Sequence, residues 1–459
     1  MRSLDSDSSQ GVEVKKIALL TGLFAALFAA VYGLMPFHDD WCYATAPNPD
    51  FVWSQLLPDA SFWRPFDVIW GALMARIPGL FPNANRLVVV LAHTLSSFFV
   101  WKALDKISKD RIACFVGTLF FAVSSVIAAM LFNSDTINQS WSFLWGIIAL
   151  CVALEREDVS WRRWSVVSGL VVLSMLFKES GVSWLAVIPL ILFWHERNPK
   201  LLFQRAAFGV GVLAFYFALR FTLMGDVAVG GEYYELGFNL EKVVINFVVA
   251  VLLPLTQFDM LSFVCEQWVL MTASAAASLV FWWCWISSAT REEMDSKVLL
   301  LVVLALAFAA PHCFFKGHHP AEMHFYPVLF AGSVFIALTP AAAGQLRARC
   351  FGVMAVLVLF VCGWYDKLTE VHKHSERTRT LFGELSKRDI DFSKPVYFIA
   401  EVDPNVKYYS VFTESAGHGL YWGKACRALN GRRDFDYRLV ATQMDMWRMP
   451  VNAQAIRIK

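Results

Sequence analysis

Residues 164–194 read WSVVSGLVVLSMLFKESGVSWLAVIPLILFW, and the only charged residues among them are Lys178 and Glu179. A helix needs roughly 20 apolar residues to cross about 30 Å of hydrocarbon. The runs 164–177 and 181–195 are short for that and lean on their flanks, so the stretch predicts two membrane spans turning at Lys178-Glu179-Ser180. Nine further runs of the same kind lie at 17–37, 86–101, 112–132, 140–154, 206–223, 268–286, 298–315, 326–340 and 350–365. Residues 243–258 are also apolar but carry Pro254.

The composition agrees with this reading. Of 459 residues, 57% are hydrophobic and only 17% charged, with a mean hydropathy of +0.49. A soluble domain carries about 25% charged residues, so a soluble enzyme and a disordered chain are excluded. A net charge of +2 implies no polyanion, and no nucleic-acid partner is expected. The nine cysteines show no paired short spacing of the kind that holds zinc.

Lys and Arg concentrate in alternate loops: Lys15 and Lys16, then Lys102 to Arg111, then Arg156 to Arg163, then Arg197 to Arg205, then Arg347 and Arg349. By the positive-inside bias these loops are cytoplasmic. The alternation holds only if 243–258 does not cross, which makes that segment re-entrant or a surface helix. The expected fold is an all-α polytopic membrane protein of about eleven transmembrane helices. Residues 1–16 form a cytoplasmic segment and 17–366 the membrane domain with a long outer loop, 38–85. Residues 367–459 form a small extracytoplasmic α+β domain. Its expected strands are Val396–Ile399, Tyr408–Thr413, Tyr437–Ala441 and Ala455–Ile458, and the domain is expected to adjust acceptor choice.

The polar residues gather at the outer ends of the spans. Asp39 and Asp40 follow the first span; two adjacent carboxylates repel, which raises one pKa and suits a general base, though a solvated helix terminus reads the same way. Lys178 suits a phosphate anchor, against a plain turn in which it pairs with Glu179. Arg220 ends a middle span and either meets an anion or snorkels to the headgroups. Arg64 belongs to the long outer loop, where Pro65 begins a helix from about Phe66 to Leu80 lying along the membrane; an ordinary loop ion pair is the alternative for Arg64. Residues 316–327 gather His318, His319, Glu322, His324 and Tyr326 without a metal-ligand spacing; they read better as a wall contacting a sugar or phosphate. His93, within the second span, reads as a core histidine.

Taken together these elements resemble the GT-C superfamily of polytopic glycosyltransferases, closest to its protein O-mannosyltransferase-like and bacterial lipid-linked-sugar branches. Trp63-Arg64-Pro65-Phe66 is similar to the family's aromatic-Arg-Pro element, and Phe177-Lys178-Glu179-Ser180-Gly181 to its Lys-Glu turn. Tyr216 to Arg220 resembles its arginine-ended span, and Glu322 to Pro327 its late loop, with Met323 and His324 where relatives often carry an arginine and an aromatic. The resemblance implies an inverting transferase that moves a sugar from a polyprenyl-phosphate donor to an acceptor hydroxyl on a glycan, glycolipid or protein. It implies Asp39 or Asp40 as the base, leaning to Asp40. Lys178, Arg220 and Arg64 would stabilise the phosphate, and Glu179, Glu322, His324 and Tyr326 would contact substrate. No cofactor is implied and a divalent metal is not indicated. The expected location is a bacterial plasma membrane, with the site on the periplasmic side. A multi-span polysaccharide polymerase or ligase, and a lipid-linked-sugar flippase, are the rival readings. Against the flippase stand the one-sided polar clusters and the lack of a visible repeat.

Overall fold

The computed structural model describes residues 4–35, 64–77, 82–132, 136–155, 160–224, 239–256, 268–291, 294–313, 322–342, 344–391, 393–400, 437–440 and 454–458. Helices dominate: α1 (Leu4–Val31), α2 (Pro65–Arg76), α3 (Asn83–Ile107), α4 (Arg111–Val123), α5 (Ala128–Phe132), α6 (Ile137–Ala153) and α7 (Trp161–Phe177). They continue as α8 (Trp184–Glu196), α9 (Pro199–Met224), α10 (Leu240–Thr256), α11 (Trp268–Ser287), α12 (Met294–Cys313), α13 (Val328–Leu338) and α14 (Leu346–Ser386). Among the described residues, Asn83–Ile107, Pro199–Leu223, Met294–Cys313 and Leu346–Thr369 are each long and apolar enough to cross a membrane. The chain is an integral membrane protein. Among the described residues, each of the eleven apolar runs is helical over most of its length, that at 112–132 with a 3-10 turn at Ser125–Ile127.

Local chemistry sets the helix ends. Asp110 caps α4, its carboxylate accepting from the amides of Ile112 and Ala113 at 3.0 Å. Pro65 stands at the first position of α2, where its missing N–H costs nothing. This helix leaves Ile69, Leu73 and Ile77 exposed at four-residue spacing, an apolar stripe suited to an interfacial helix.

The core is aromatic. Phe121, Phe143, Tyr326 and Trp184 pack ring to ring with centroids 5.0–5.4 Å apart, and Phe308 and Phe330 extend the cluster. At Gly146 a Cβ would fall 1.9 Å from the Trp184 indole nitrogen, so only glycine lets α6 and α8 pack this closely. His93 is fully buried here, as expected of a core histidine. Its Nδ1 lies 2.9 Å from the Tyr326 hydroxyl, and Nε2 3.0 Å from the Ala122 carbonyl.

The ends of α11 and α13 meet: Ala342 N–H donates to the Ser288 carbonyl at 2.8 Å and Thr290 N–H to that of Pro340 at 3.3 Å. The apolar stretch around 243–258 is the helix α10 as far as Thr256; it packs against α12, and its Asn246 side chain donates to the Cys313 carbonyl at 3.5 Å.

Beyond the bundle, β1 (Val396–Ala400) lies between β2 (Tyr437–Val440) and β3 (Gln454–Ile458) in a parallel sheet ordered β2-β1-β3. The expected strand at Tyr408–Thr413 lies outside the described residues.

Candidate active site

The turn between α7 and α8 forms one wall of the site. Lys178 leaves α7 in an extended conformation (φ −154°, ψ 135°), and Glu179–Ser183 form a single 3-10 turn. Gly181 folds back against α7 so closely that a Cβ would fall 2.5 Å from Ser174 Oγ and 2.7 Å from Ser174 carbonyl carbon. The glycine thus holds the Lys-Glu pair at the helix end, and the Ser174 hydroxyl, donating to the Ser142 carbonyl at 2.7 Å, ties that end to α6.

Three segments distant in sequence meet on this turn. The first is Arg64-Pro65-Phe66. Phe66 stacks on Phe177 with centroids 4.4 Å apart and planes 8° from parallel, and Trp141 stacks on the same ring at 5.9 Å. That contact places Arg64 over Glu179: Nε and Nη2 both donate to Oε2, at 3.2 and 3.0 Å. The second segment is the end of α9, where Arg220 Nη1 lies 3.6 Å from Glu179 Oε1 and 3.4 Å from the Tyr216 hydroxyl. Tyr216 and Arg220 are one helical turn apart and 3% and 2% exposed. Among the described residues, Arg220 Nε and Nη2 have no hydrogen-bond partner. The third segment is the end of α12 with the turn Glu322–Phe325: the His312 and His324 rings lie 4.5 Å apart, and the charges of Lys178 and Arg64 reach His312.

Burial raises the pKa of the Glu179 carboxyl. The Arg64 charge, a backbone amide, the Arg64 hydrogen bond and the Arg220 charge outweigh it and hold the group below its ordinary value. Glu179 is therefore an anion at neutral pH. Arg64 and Arg220 flank it and Lys178 precedes it in the chain, leaving an excess of positive charge at the helix ends.

The structure thus brings together Arg64, Lys178, Glu179, Arg220 and His324. It does not bring Tyr326, whose ring is wholly buried and whose hydroxyl is engaged by His93. Asp39 and Asp40 lie outside the described residues, as does the Glu322 side chain. The exit of α1 leading to the acidic pair is well anchored, however. Arg86, fully buried, donates to the carbonyls of Leu34 and Met35 at 2.5 and 2.7 Å; Ser375 Oγ accepts from Met35 N–H at 2.9 Å; Arg379 donates to the Gly33 carbonyl at 3.0 Å. Sequence reasoning gave no role to Arg86, Tyr216 or His312. The four-residue spacing of Tyr216 and Arg220 was a usable signal; Arg86 and His312 offered none beyond a polar residue at a span end.

No protein-family model matches the chain, and no curated protein does either. Among solved structures it is similar to ArnT from Cupriavidus metallidurans bound to undecaprenyl phosphate. The identity is 12% and the TM-score 0.50, over 97% of this chain and 89% of that one. The apo form of the same protein matches at 12% identity and a TM-score of 0.50, over 95% and 87%. Archaeal oligosaccharyltransferase AglB from Archaeoglobus fulgidus, in complex with an inhibitory peptide and a dolichol-phosphate, matches at 10% identity and a TM-score of 0.44, over 94% and 65%. The ArnT likeness runs over nearly the whole of both chains and shows a shared fold.

Proposed function

We propose that this chain, which has the fold of the GT-C membrane glycosyltransferases, moves a sugar from a polyprenyl-phosphate donor to an acceptor hydroxyl, with inversion, at the outer face of the membrane. The observation that carries the reading is Arg220: a buried guanidinium with two nitrogens unpartnered among the described residues, beside Lys178, Arg64 and the Glu179 carboxylate. A buried cation left short of acceptors is costly unless a ligand supplies them. A lipid phosphate arriving from the bilayer has the required charge and oxygen atoms.

The chemistry follows from that placement. The acceptor oxygen attacks the anomeric carbon as the bond to the phosphate oxygen breaks on the opposite side. The phosphate leaves with the bonding electrons, and Lys178 and Arg220 stabilise its charge. The hydroxyl proton passes to Asp39 or Asp40, a few residues beyond the Arg86 anchor. Arg64 takes up Glu179 Oε2 through two hydrogen bonds, so that Arg220 holds only the long contact to Oε1, and His324 stands beside His312. The ArnT structure contains undecaprenyl phosphate, which agrees with a lipid-phosphate donor here.

The test separates chemistry from binding. In Asp39→Asn and Asp40→Asn the shape stays and the proton acceptor goes, and loss of a general base costs about 10²–10⁴-fold in rate. One of the two should lose transfer to that extent while still binding polyprenyl phosphate. Transfer at the wild-type rate by both variants and by the double variant would overturn the reading.

A further inference from the structure

The start of α6 lies at the same end of the bundle as the Lys178 turn and carries Asn138, Gln139 and Trp141, none of which the chemistry above uses. Trp141 fixes where this turn of helix sits. Its ring stacks on Phe177, the residue before Lys178, and Phe177 stacks in turn on Phe66, two residues from Arg64. Asn138 is three residues from Trp141, about 4.5 Å along the axis and on the same side of the helix. Gln139 stands one turn from Phe143, whose ring packs on Tyr326 at 5.0 Å, and His324 precedes Tyr326 by two residues in the Glu322–Phe325 turn. The start of α6 thus adjoins the phosphate cluster through Trp141 and the histidine turn through Phe143.

Both amides are buried, Asn138 3% and Gln139 1% exposed. Asn138 Oδ1 and Gln139 Oε1 nevertheless have no hydrogen-bond partner among the described residues, and neither does the Trp141 indole nitrogen. Their neighbours on the same helix show what a purely structural role looks like: Ser140 Oγ donates to the Ile137 carbonyl at 3.0 Å, and Ser142 Oγ lies 3.1 Å from Ser174 Oγ. Two adjacent buried amides left open are a cost to the folded chain that a ligand can remove. The open atoms say which ligand. A phosphodiester offers only acceptors, which Lys178 and Arg220 serve. An amide oxygen needs a donor and an indole N–H needs an acceptor; hydroxyl groups are both.

We propose that Asn138 and Gln139 form the subsite that reads the hydroxyl groups of the transferred sugar, with the Trp141 N–H supplying a donor beside them. The proposal rests on the lipid-phosphate donor reading above and adds where the sugar lies. The donor sugar is bonded to the phosphate, and a turn of helix that touches the residue before Lys178 is within its reach. An acceptor hydroxyl has no such tie to Lys178. The subsite discriminates because a sugar lacking the matched hydroxyl leaves a buried amide unpaired.

The probes are phosphodiesters of a two-isoprene alcohol with glucose, galactose, mannose, N-acetylglucosamine or arabinose. The methyl diester of the same phosphate, equal in charge and without a sugar, is the reference. Each is titrated calorimetrically into the full-length protein in detergent, with no acceptor present. At least one glycosyl diester should bind about tenfold more tightly than the methyl diester, equivalent to 1.4 kcal/mol. Asn138→Leu and Gln139→Met keep the bulk of each side chain and remove its polar atoms. Each should weaken that glycosyl diester severalfold to tenfold and leave the methyl diester unchanged. The ligand-free melting temperature should stay the same or rise, whereas loss of a structural amide would lower it. Glycosyl and methyl diesters weakened equally, neither weakened, or no glycosyl diester favoured by the wild type would each overturn the sugar subsite and leave the phosphate reading standing. Wild-type protein that binds neither kind of diester overturns the donor reading and the subsite together.

Discussion

Arg220→Met separates a functional arginine from a structural one, because the two roles predict opposite outcomes. Methionine roughly fills the space and removes the charge. In the ligand-free protein the arginine's contacts are long, 3.6 Å to Glu179 and 3.4 Å to Tyr216, and two of its nitrogens have no partner among the described residues. Glu179 keeps its two hydrogen bonds from Arg64. The substitution should therefore leave ligand-free stability within about 1 kcal/mol of wild type or raise it, since relieving a poorly compensated buried charge is neutral to favourable. Binding should move the other way. Loss of charge-assisted contacts to phosphate costs about 1.5–3 kcal/mol, roughly ten- to over a hundredfold in affinity. Thermal unfolding in detergent, with and without a short-chain polyprenyl phosphate, reads both quantities. Ligand at a hundred times the wild-type Kd adds about 2.7 kcal/mol of stability, and a hundredfold loss of affinity reduces that to about 0.4 kcal/mol. A ligand-free loss of about 3 kcal/mol or more, with the ligand-induced gain intact, would show a buried structural ion pair and refute the reasoning.

Other consequences follow from the same geometry. Glu179 has its folded-state pKa depressed, so its contribution to stability is complete above its ordinary value of 4.5 and is lost as pH falls through the lower folded value; acid titration of Glu179→Gln should lack that component. Gly181→Ala drives a Cβ into Ser174 and should cost about 1–3 kcal/mol of stability as overpacking, with phosphate affinity falling as Lys178 and Glu179 are displaced. Tyr326→Phe removes the hydroxyl facing His93 and should cost about 1–3 kcal/mol for the buried partner left behind, while transfer per folded molecule stays at the wild-type level.

Much of the site could be read from charge in apolar context. Arg64, Lys178, Glu179 and Arg220 are rare charges at the ends of apolar runs, and a charge in that setting needs a partner or a ligand. What the chain order cannot show is who partners whom. Arg64 and Glu179 are 115 residues apart, and it is the Phe66–Phe177 stack that brings them together. Tyr326 misleads for a related reason. Beside Pro327 and three histidines it looks like a loop residue, yet the turn ends one residue earlier and tips its ring into the aromatic core. The strands Val396–Ala400, Tyr437–Val440 and Gln454–Ile458 were legible as β-branched and aromatic runs. Their parallel order was not, because parallel neighbours depend on the crossovers between them.

The last helix changes how the C-terminal region must be seen. At 41 residues and 1.5 Å per residue, α14 is about 60 Å long, roughly twice the hydrocarbon thickness. It is fastened near its middle, where Lys367 donates to the Ser125 carbonyl at 2.7 Å and Trp364 to that of Val123 at 2.8 Å. The extension beyond carries Ser375 and Arg379 to the exit of α1, where they and Arg86 hold Gly33, Leu34 and Met35. A region expected only to adjust acceptor choice thus touches the chain a few residues before Asp39 and Asp40. Truncation after Lys367 removes two of those three anchors and leaves Lys178, Glu179 and Arg220 untouched. Its effect should therefore fall on turnover, through the placing of the carboxylates, more than on affinity for the lipid phosphate.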